Sequence, residues 1–222
     1  MDNFYLCPSM MCADFGNLAS EVKSLSDAGA DIFHLDLMDG NFVPNFSMGF
    51  ENIKCIRRET EKPVDVHMMV NEPLRYVKAL CEMGIDIIYI HPEADNHPAR
   101  TLDAIKSYGA KSGIAVNPGT SFDCAKELLH LADYALIMTV NPGYAGQKYL
   151  NYVDNKLEVF AKNKTFYNYE LFVDGAISPE KIKALRPKGV NGFVLGTSAL
   201  FGLGADYKTI LQELKKEAAE CC

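Results

Sequence analysis

The chain alternates short apolar runs with longer amphipathic stretches along its length. Short apolar runs bounded by polar or glycine-containing segments are typical of buried strands, whereas apolar residues at a 3.6-residue period are typical of helices. Eight such units can be counted, and their predicted strands cover residues 4–10, 32–38, 64–70, 87–91, 112–117, 134–140, 169–174 and 192–196. Strands that alternate with helices indicate βα units and a parallel sheet.

Helices are predicted between these strands, among them at residues 17–28, 72–83, 179–185 and 207–219. The third of these has the clearest start, because Ser178 is a good N-cap and Pro179 suits the first turn. The last one ends the pattern near the end of the sequence.

Two architectures fit a series of βα units. A doubly wound open sheet binds its ligand in one crevice and does not need eight near-equal units, whereas a closed (β/α)8 barrel brings all its strand ends to one mouth. The polar residues discussed below are spread over the second to eighth strands. We therefore predict an α/β fold, with one (β/α)8-barrel domain over residues 1–222.

Polar residues recur on one face of the predicted strands. In the second strand His34 and Asp36 alternate with apolar residues, and in the third Asp65 and His67 do the same. Because neighbouring side chains of a strand point to opposite faces, each polar pair shares the face that points into a barrel. The seventh strand ends at Asp174 on the corresponding face. Buried imidazoles and carboxylates are costly unless they are paired or bind a metal.

Any one of these residues alone is better explained as a satisfied core histidine or a loop-capping aspartate. Together, at matching strand ends, His34, Asp36, His67 and Asp174 predict a divalent-metal site. This mixture of nitrogen and oxygen ligands suits Zn²⁺, Fe²⁺, Mn²⁺ or Co²⁺ and does not choose among them.

Asp36 and Asp174 are also the predicted catalytic pair. A free aspartate, with a pKa of about 3.9, is too weak a base to remove a proton next to a carbonyl group unaided. A metal that polarises the carbonyl and stabilises the resulting enediolate supplies the missing assistance. Two carboxylates on opposite sides of the substrate then allow removal of a proton from one face and its return to the other, which inverts one carbon.

Three glycine-containing turns follow the last three predicted strands, at residues 141–147, 174–176 and 196–198. Glycine lets backbone N–H groups turn toward an anion, and the last loops of such barrels frequently hold a phosphate. Ordinary βα turns are the alternative for any single one of them. Three turns on adjacent loops predict a phosphate site.

Further residues are expected to lie near the site, and the inward-facing methionines have two interpretations. Met38, Met69 and Met138 are either core filler, the usual role of methionine, or an apolar cover over the substrate. His91 and Glu93, at the end of the fourth strand, are expected to lie behind the ligands.

Charge and composition argue against some classes of binding partner. A net charge of −7 argues against nucleic acid and anionic membranes, although local backbone dipoles still allow a small anionic substrate. No apolar run approaches the ~18 residues of a membrane span, and the N-terminal residues do not resemble a signal peptide. The seven cysteines lack metal-ligand spacing and indicate reduced thiols, so we expect a cytoplasmic protein. Cys221 and Cys222 are interpreted as surplus exposed thiols and not as a lipidation signal.

Several motifs closely resemble those of the ribulose-phosphate 3-epimerase family. They are PS at residues 8–9 with ADF at 13–15, HLDLMDGNFVP at 34–44, DVHMMV at 65–70, the turn at 141–147, VDG at 173–175 and GTSALF at 196–201. The resemblance implies that His34, Asp36, His67 and Asp174 hold the metal, and that the two aspartates form the acid–base pair. It also implies a phosphorylated ketose as substrate. The implied substrate contacts are Ser9, His67, Gly143, Tyr144, Ala145, Gly146, Gly175, Ala176, Gly196 and Thr197. We also expect a homo-oligomer.

The motifs depart from those of the pentose-phosphate enzymes at several positions. Where those enzymes usually read GFGGQ, VDGGI and AGSAIF, this chain reads GYAGQ, VDGAI and GTSALF. With the triplet His91-Pro92-Glu93, these residues look more like the allulose-6-phosphate 3-epimerase branch. The resemblance therefore favours D-allulose 6-phosphate as the substrate, with D-ribulose 5-phosphate a close second.

Two other functions are compatible with a barrel of this kind. A Schiff-base aldolase needs a lysine at a strand end, and none of the predicted strands ends in one. The related decarboxylases carry a D-x-K-x-x-D pattern at the third strand, where this chain reads DVHMM. A sugar-phosphate-binding barrel without activity has no use for two opposed carboxylates. The sequence therefore favours the epimerase.

Overall fold

The computed structural model describes residues 3–219, so Cys221 and Cys222 lie outside the described residues. The strands are β1 (Tyr5–Pro8), β2 (Phe33–Met38), β3 (Val64–Met69), β4 (Ile87–Ile90), β5 (Lys111–Val116), β6 (Tyr134–Met138), β7 (Glu170–Asp174) and β8 (Gly192–Leu195). The helices are α1 (Leu18–Ala28), α2 (Phe50–Glu59), α3 (Leu74–Glu82), α4 (Pro98–Ser107), α5 (Phe122–Ala125), α6 (Asp154–Tyr167), α7 (Pro179–Leu185) and α8 (Tyr207–Ala219). Within residues 3–219, no helix is long and apolar enough to cross a membrane.

All neighbouring strands pair in parallel, in the order β1-β8-β7-β6-β5-β4-β3-β2. Each strand thus lies beside its sequence neighbour, and a parallel bridge between Ser9 and His34 links the first strand to the second. The sheet is therefore a nearly closed barrel whose strands all end at one mouth. The predicted (β/α)8 fold is confirmed.

The predicted element boundaries are close to the observed ones. Helix α7 begins after Ser178, whose hydroxyl accepts a hydrogen bond from the Lys181 backbone N–H, as the N-cap prediction required. The first strand was predicted to reach Met10, but this residue begins a 3-10 turn, so β1 ends at Pro8. The prediction extended the strand because the sequence stays largely apolar beyond Pro8. The strand itself ends where its hydrogen bonds to the neighbouring strand end.

Two apolar layers hold the barrel together. Outward-facing strand residues such as Leu35, Val66 and Leu171 pack in the layer shared with the helices. A second cluster fills the barrel interior and is called the barrel floor here. Its buried members are Cys7, Ile32, Ile87, Tyr89, Ala115, Leu136, Phe172 and Val194. The interior is thus a packed core and not a pore.

Two glycines make room for the large rings of the barrel floor. Gly113 is the register partner of Tyr89, and a Cβ atom on it would lie 2.3 Å from that ring. Gly192 is the register partner of Phe172, and its Cβ would lie 2.2 Å from that ring. Pairing a glycine with an aromatic residue on the adjacent strand fills the narrow interior without overlap.

Candidate active site

Four polar side chains converge above the barrel floor. His34 and Asp36 come from β2, His67 from β3 and Asp174 from the end of β7. Each offers one ligand atom, and these atoms all lie within 4.8 Å of one another. The two histidines and Asp36 are buried, whereas the Asp174 side chain keeps 16% of its surface exposed. The structure therefore brings together the four residues predicted to bind a metal.

The spacing of the four ligand atoms tests whether an ion fits. Oδ1 of Asp36 lies 3.5 Å from Nε2 of His34 and 3.3 Å from Nδ1 of His67. Oδ2 of Asp174 lies 3.9 Å from the same His34 nitrogen and 3.6 Å from the same His67 nitrogen. Ligands bound at about 2.0–2.2 Å to a tetrahedral ion lie about 3.3–3.6 Å apart. The cluster fits one divalent metal ion.

The two inward-facing ring nitrogens support the same conclusion. Nε2 of His34 and Nδ1 of His67 are buried and have no hydrogen-bond partner among residues 3–219. A buried polar atom without a partner is costly in a folded protein. A metal ion between the rings would satisfy both atoms.

The electrostatic potential of the cluster favours a cation. Burial lowers the pKa of His34, but the charges of Asp65 and Asp36 outweigh burial and raise it well above the ordinary value. Burial likewise lowers the pKa of His67, and the adjacent carboxylates of Asp174 and Asp36 outweigh it, so the net shift is upward. A pocket that stabilises positive charge on both imidazoles also stabilises a divalent cation in their place.

Asp36 is held in its ionised form. Burial raises the pKa of its carboxyl group, but the neighbouring charge of His34 and the close approach of both imidazoles outweigh burial and hold the pKa well below the usual range. Oδ2 of Asp36 also accepts a hydrogen bond of 2.8 Å from the Ser9 hydroxyl. This bond leaves Oδ1 facing the histidines.

Asp65 takes part in the site although the sequence assigned it no role. Its Oδ1 lies 2.6 Å from Nδ1 of His34, and both residues are fully buried. A carboxylate at the second ring nitrogen fixes which nitrogen of His34 faces the metal site. The signal was the alternation that placed Asp65 on the same face as His67.

A cavity opens above the ligand cluster at the mouth. It is lined by Asp36 and Asp174 and by nine of the ten predicted substrate contacts, namely Ser9, Gly143, Tyr144, Ala145, Gly146, Gly175, Ala176, Gly196 and Thr197. His67 lies beneath this lining, so its contact with substrate stays a prediction. The sequence reasoning missed Met11, Cys12, Val140 and Val194, which line the cavity but carry no motif that marks them.

Methionines form an apolar side of the cavity. Met38, Met69 and Met138 line it, together with Met11. Met38 and Met69 also pack in a small buried cluster with Val43. They are placed between the barrel core and the cavity, which is compatible with the predicted cover over a substrate.

The turns that line the cavity contain residues in the left-handed region of backbone conformation. Gly143 and Gly175 have φ values of 117° and 116°, and a Cβ on Gly175 would lie 2.5 Å from Val140. Ala176 also has a positive φ, of 52°, which is uncommon for a residue with a side chain. The Thr139 hydroxyl donates to the carbonyls of Asp174 and Gly175 and ties the ends of β6 and β7 together.

The loops after β2 and β6 are fastened to each other across the mouth. The Asn45 side-chain amide donates a 2.8 Å hydrogen bond to the Gly143 carbonyl. The Tyr144 hydroxyl donates to the Pro44 carbonyl. We call these two hydrogen bonds the loop clasp. Gly143 and Tyr144 both line the cavity, so the loop clasp joins part of the cavity wall to the loop after β2.

Sequence comparison identifies relatives over nearly the whole chain. The model of the ribulose-phosphate 3 epimerase family matches residues 5–201. The ribulose-phosphate 3-epimerase of Bacillus subtilis is 37% identical over 213 residues, which is 95% of this chain and 97% of the relative. The enzyme of the same name from Methanocaldococcus jannaschii is 39% identical over 214 residues, 96% of this chain and 90% of the relative.

Solved structures with low sequence identity share the fold. KGPDC from Streptococcus mutans has a TM-score of 0.75 at 13% identity, with 99% of each chain covered. A mutant tryptophan synthase α-subunit from Pyrococcus furiosus has a TM-score of 0.68 at 15% identity, with 100% of this chain and 99% of that chain covered. These two likenesses support the barrel architecture alone. The family model and the relatives above 30% identity go further, and they show that this chain belongs to the ribulose-phosphate 3-epimerase family of isomerases.

Proposed function

We propose that this protein is a metal-dependent ketose-phosphate 3-epimerase that inverts carbon 3 of its substrate. The observation that carries the proposal is the convergence of two carboxylates and two unpartnered imidazole nitrogens beneath a cavity ringed by glycine turns. His34, Asp36, His67 and Asp174 would hold the metal. When bound, a divalent ion polarises the ketose carbonyl and stabilises negative charge on the oxygens of the enediolate.

The two aspartates move the proton. For one epimer, one carboxylate removes the proton from carbon 3 of the ketose, and the other, in its acid form, donates a proton to the opposite face. The roles exchange for the other epimer. Ser9 holds one oxygen of Asp36 at 2.8 Å, and Asp174 reaches the cavity with part of its side chain exposed. The two groups are thus positioned separately, on β2 and β7.

The glycine turns bind the phosphate group in this proposal. Backbone N–H groups near Gly143 to Gly146, Gly175 to Ala176 and Gly196 to Thr197 supply donors without adding positive side chains. Such donors suit a protein whose net charge is −7, because a dianionic phosphate needs a local favourable field. The methionines exclude water from the reacting carbons.

D-ribulose 5-phosphate is the substrate that the names of the relatives support. D-allulose 6-phosphate is the second candidate, and one feature of the turn after β8 favours it. Gly196 has no side chain at the cavity, and a methyl group there would lie 3.6 Å from the Cys12 sulfur. The family's pentose-phosphate members usually carry alanine at this position, so the glycine leaves additional room for a longer ketose.

The test is an assay of carbon-3 exchange on one metal-defined preparation. Either ketose phosphate, incubated with enzyme in deuterated solvent, is expected to gain deuterium at carbon 3 while the epimer forms. The ratio of kcat/KM for the two substrates then decides between five and six carbons. Binding of the ketose phosphate without exchange would contradict the epimerase and leave a sugar-phosphate-binding barrel. Removal of the metal with a chelator is expected to abolish exchange, and Zn²⁺, Fe²⁺, Mn²⁺ and Co²⁺ are then compared for its recovery.

We further infer that the whole chain forms one domain, that it acts in the cytoplasm and that it assembles as a homo-oligomer. Reduced cysteines support the location. Exposed aromatic side chains such as Phe46 and Phe166, with 78% and 75% of their surface accessible, support the assembly. Light scattering of the purified protein and fractionation of the source cells test the last two inferences.

A further inference from the structure

His67 is bonded on the side away from the metal site to a second buried histidine. Its Nε2 lies 2.8 Å from Nε2 of His91, which follows directly on β4. Both rings are fully buried and their centroids are 4.9 Å apart. One of these two nitrogens must donate the proton and the other must accept it. The direction of this bond determines which nitrogen of His67 is free for a metal.

The contacts of His67 settle that direction if the ring binds a metal. Nδ1 of His67 faces Asp36 and Asp174 at 3.3 and 3.6 Å, so it is the nitrogen that offers a lone pair. The proton of the neutral ring is then on Nε2, which donates to Nε2 of His91. His91 in turn must carry its own proton on Nδ1.

Glu93 lies where that last proton is needed. Its Oε2 is 3.5 Å from Nδ1 of His91, so the carboxylate faces a proton on that nitrogen. Its other oxygen accepts hydrogen bonds from the Thr120 hydroxyl at 2.5 Å and from the Asn117 backbone N–H at 3.1 Å. The carboxylate is therefore fixed by the loop after β5.

Lys156 anchors that loop in turn. From α6, its ammonium group donates to the carbonyls of Asn117, Pro118 and Thr120 at 2.5, 3.1 and 3.0 Å. Phe42, from the loop after β2, also packs against His91, with ring centroids 4.9 Å apart. His91 thus contacts His67, Phe42 and Glu93, and it is not among the residues that line the substrate cavity.

We propose that His91, oriented by Glu93, is a positioning residue that keeps the proton of His67 on Nε2 and so presents Nδ1 to the metal. The proposal rests on the metal site of the proposed function. It assigns His91 and Glu93 to metal affinity and not to contact with the ketose.

The test measures metal binding directly. Co²⁺ affinity is determined by competition with a chromophoric chelator, and the visible absorption spectrum of the Co²⁺-loaded protein reports its ligand geometry. His91→Phe keeps the ring packed against Phe42 but cannot accept the proton, and it is expected to weaken Co²⁺ binding by about 10–100-fold and to change the spectrum. His91→Gln retains an acceptor oxygen and is expected to recover part of the affinity. Glu93→Gln, which leaves His91 in place but removes the charge, is expected to lose less than His91→Phe.

The matched control is His97→Phe, which makes the same change at an exposed histidine of the following loop and is expected to leave affinity and spectrum unchanged. At saturating metal His91→Phe is expected to regain most of its kcat with KM unchanged, which a defect in folding would not allow.

If the parent protein binds Co²⁺ and epimerises but His91→Phe binds Co²⁺ with parent affinity and spectrum, the positioning role is wrong and the epimerase stands. If His91→Phe does not fold, parent affinity in both His91→Gln and Glu93→Gln overturns the proposal. A parent that binds no divalent metal overturns both proposals.

Discussion

The floor of the barrel and its mouth are formed by the same strands at neighbouring inward positions. On β7, Phe172 belongs to the floor, and Asp174, two residues later, belongs to the mouth. In the same way Tyr89 of β4 belongs to the floor, and His91, two residues later and just past the end of that strand, belongs to the mouth. Floor side chains fill their space mainly with apolar contacts, and the Tyr89 hydroxyl is their one buried polar atom without a hydrogen-bond partner among residues 3–219. Mouth side chains include buried ring nitrogens without a hydrogen-bond partner in the described part of the chain.

This difference shows how the fold separates stability from chemistry. Apolar burial at the floor contributes roughly 25 cal/mol per Å² of apolar surface and needs no ligand. The mouth collects carboxylates and imidazoles whose burial is costly unless an ion or substrate is bound. Because adjacent strands are held in register, Asp36 stands opposite His67 just as Phe172 stands opposite Gly192. One alternating pattern therefore builds both layers.

The largest expected effect is a loss of activity from a substitution in the mouth, at the end of β7. Asp174→Asn removes one proton carrier and keeps an amide oxygen that can still contact the metal, so epimerisation is expected to fall roughly 10²–10⁴-fold. The remaining carboxylate should still exchange the carbon-3 hydrogen of one substrate epimer with deuterated solvent without inverting it. The other epimer should show neither exchange nor inversion.

Glu170 provides the matched control for this variant. It begins the same strand and has the same inward alternation, but its carboxylate lies at the floor end and accepts a hydrogen bond from the Asn3 side chain. Glu170→Gln is expected to keep parental kcat/KM. A metal-loaded Asp174→Asn enzyme that epimerises near the parent rate would mean that one base serves both faces, and the two-base mechanism would have to be dropped.

The second effect is on stability and affects the floor. Phe172 is fully buried and packs against the rings of Tyr5, Tyr89 and Tyr134. Phe172→Ala is expected to destabilise the protein by about 3–5 kcal/mol, through lost burial and the cavity that remains. Denaturant unfolding measures the loss. Activity per folded molecule should stay near the parental value, and a fall like that of Asp174→Asn would show that floor and mouth are not separable.

A smaller effect is expected from overfilling the floor. Gly192 leaves the space that the Phe172 ring occupies, since a Cβ atom would lie 2.2 Å from that ring. Gly192→Ala is expected to cost about 1–3 kcal/mol, because the ring must move off its preferred rotamer. The double variant with Phe172→Ala should recover part of that loss. Additive losses in the double-mutant cycle would show that the glycine and the ring do not share this space.

The sequence predicted the features that depend on local patterns. Helix α7 followed from Ser178 and Pro179, and the ligand residues of β2 followed from strict alternation. The contact between Asp65 and His34 could not be predicted, since it depends on the ring orientation as well as on the face. The pairing of Gly113 with Tyr89 depends on strand register, which a single sequence does not display.

The loop clasp could not be predicted from the sequence for a related reason. Removing one of its hydrogen bonds is expected to have the smallest effect of the changes considered. Tyr144, half exposed, was assigned to substrate, but its hydroxyl bonds to the Pro44 carbonyl of a loop 100 residues earlier in the chain. Such a bond has no local sequence signal.

Tyr144→Phe removes the hydroxyl alone, and one neutral hydrogen bond contributes about 0.5–1.5 kcal/mol. We expect KM for the ketose phosphate to rise by less than about tenfold, since 1.4 kcal/mol corresponds to a factor of ten. The value of kcat should not change, because the clasp touches neither proton carrier, and the free energy of unfolding should fall by no more than the contribution of that one hydrogen bond. Tyr108→Phe, at a tyrosine also half exposed but on the edge of α4, is the control and should leave KM unchanged. A fall in kcat comparable to that of Asp174→Asn would mean that Tyr144 acts on the reacting carbons, and the clasp would then belong to the chemistry of the mouth and not to its cover.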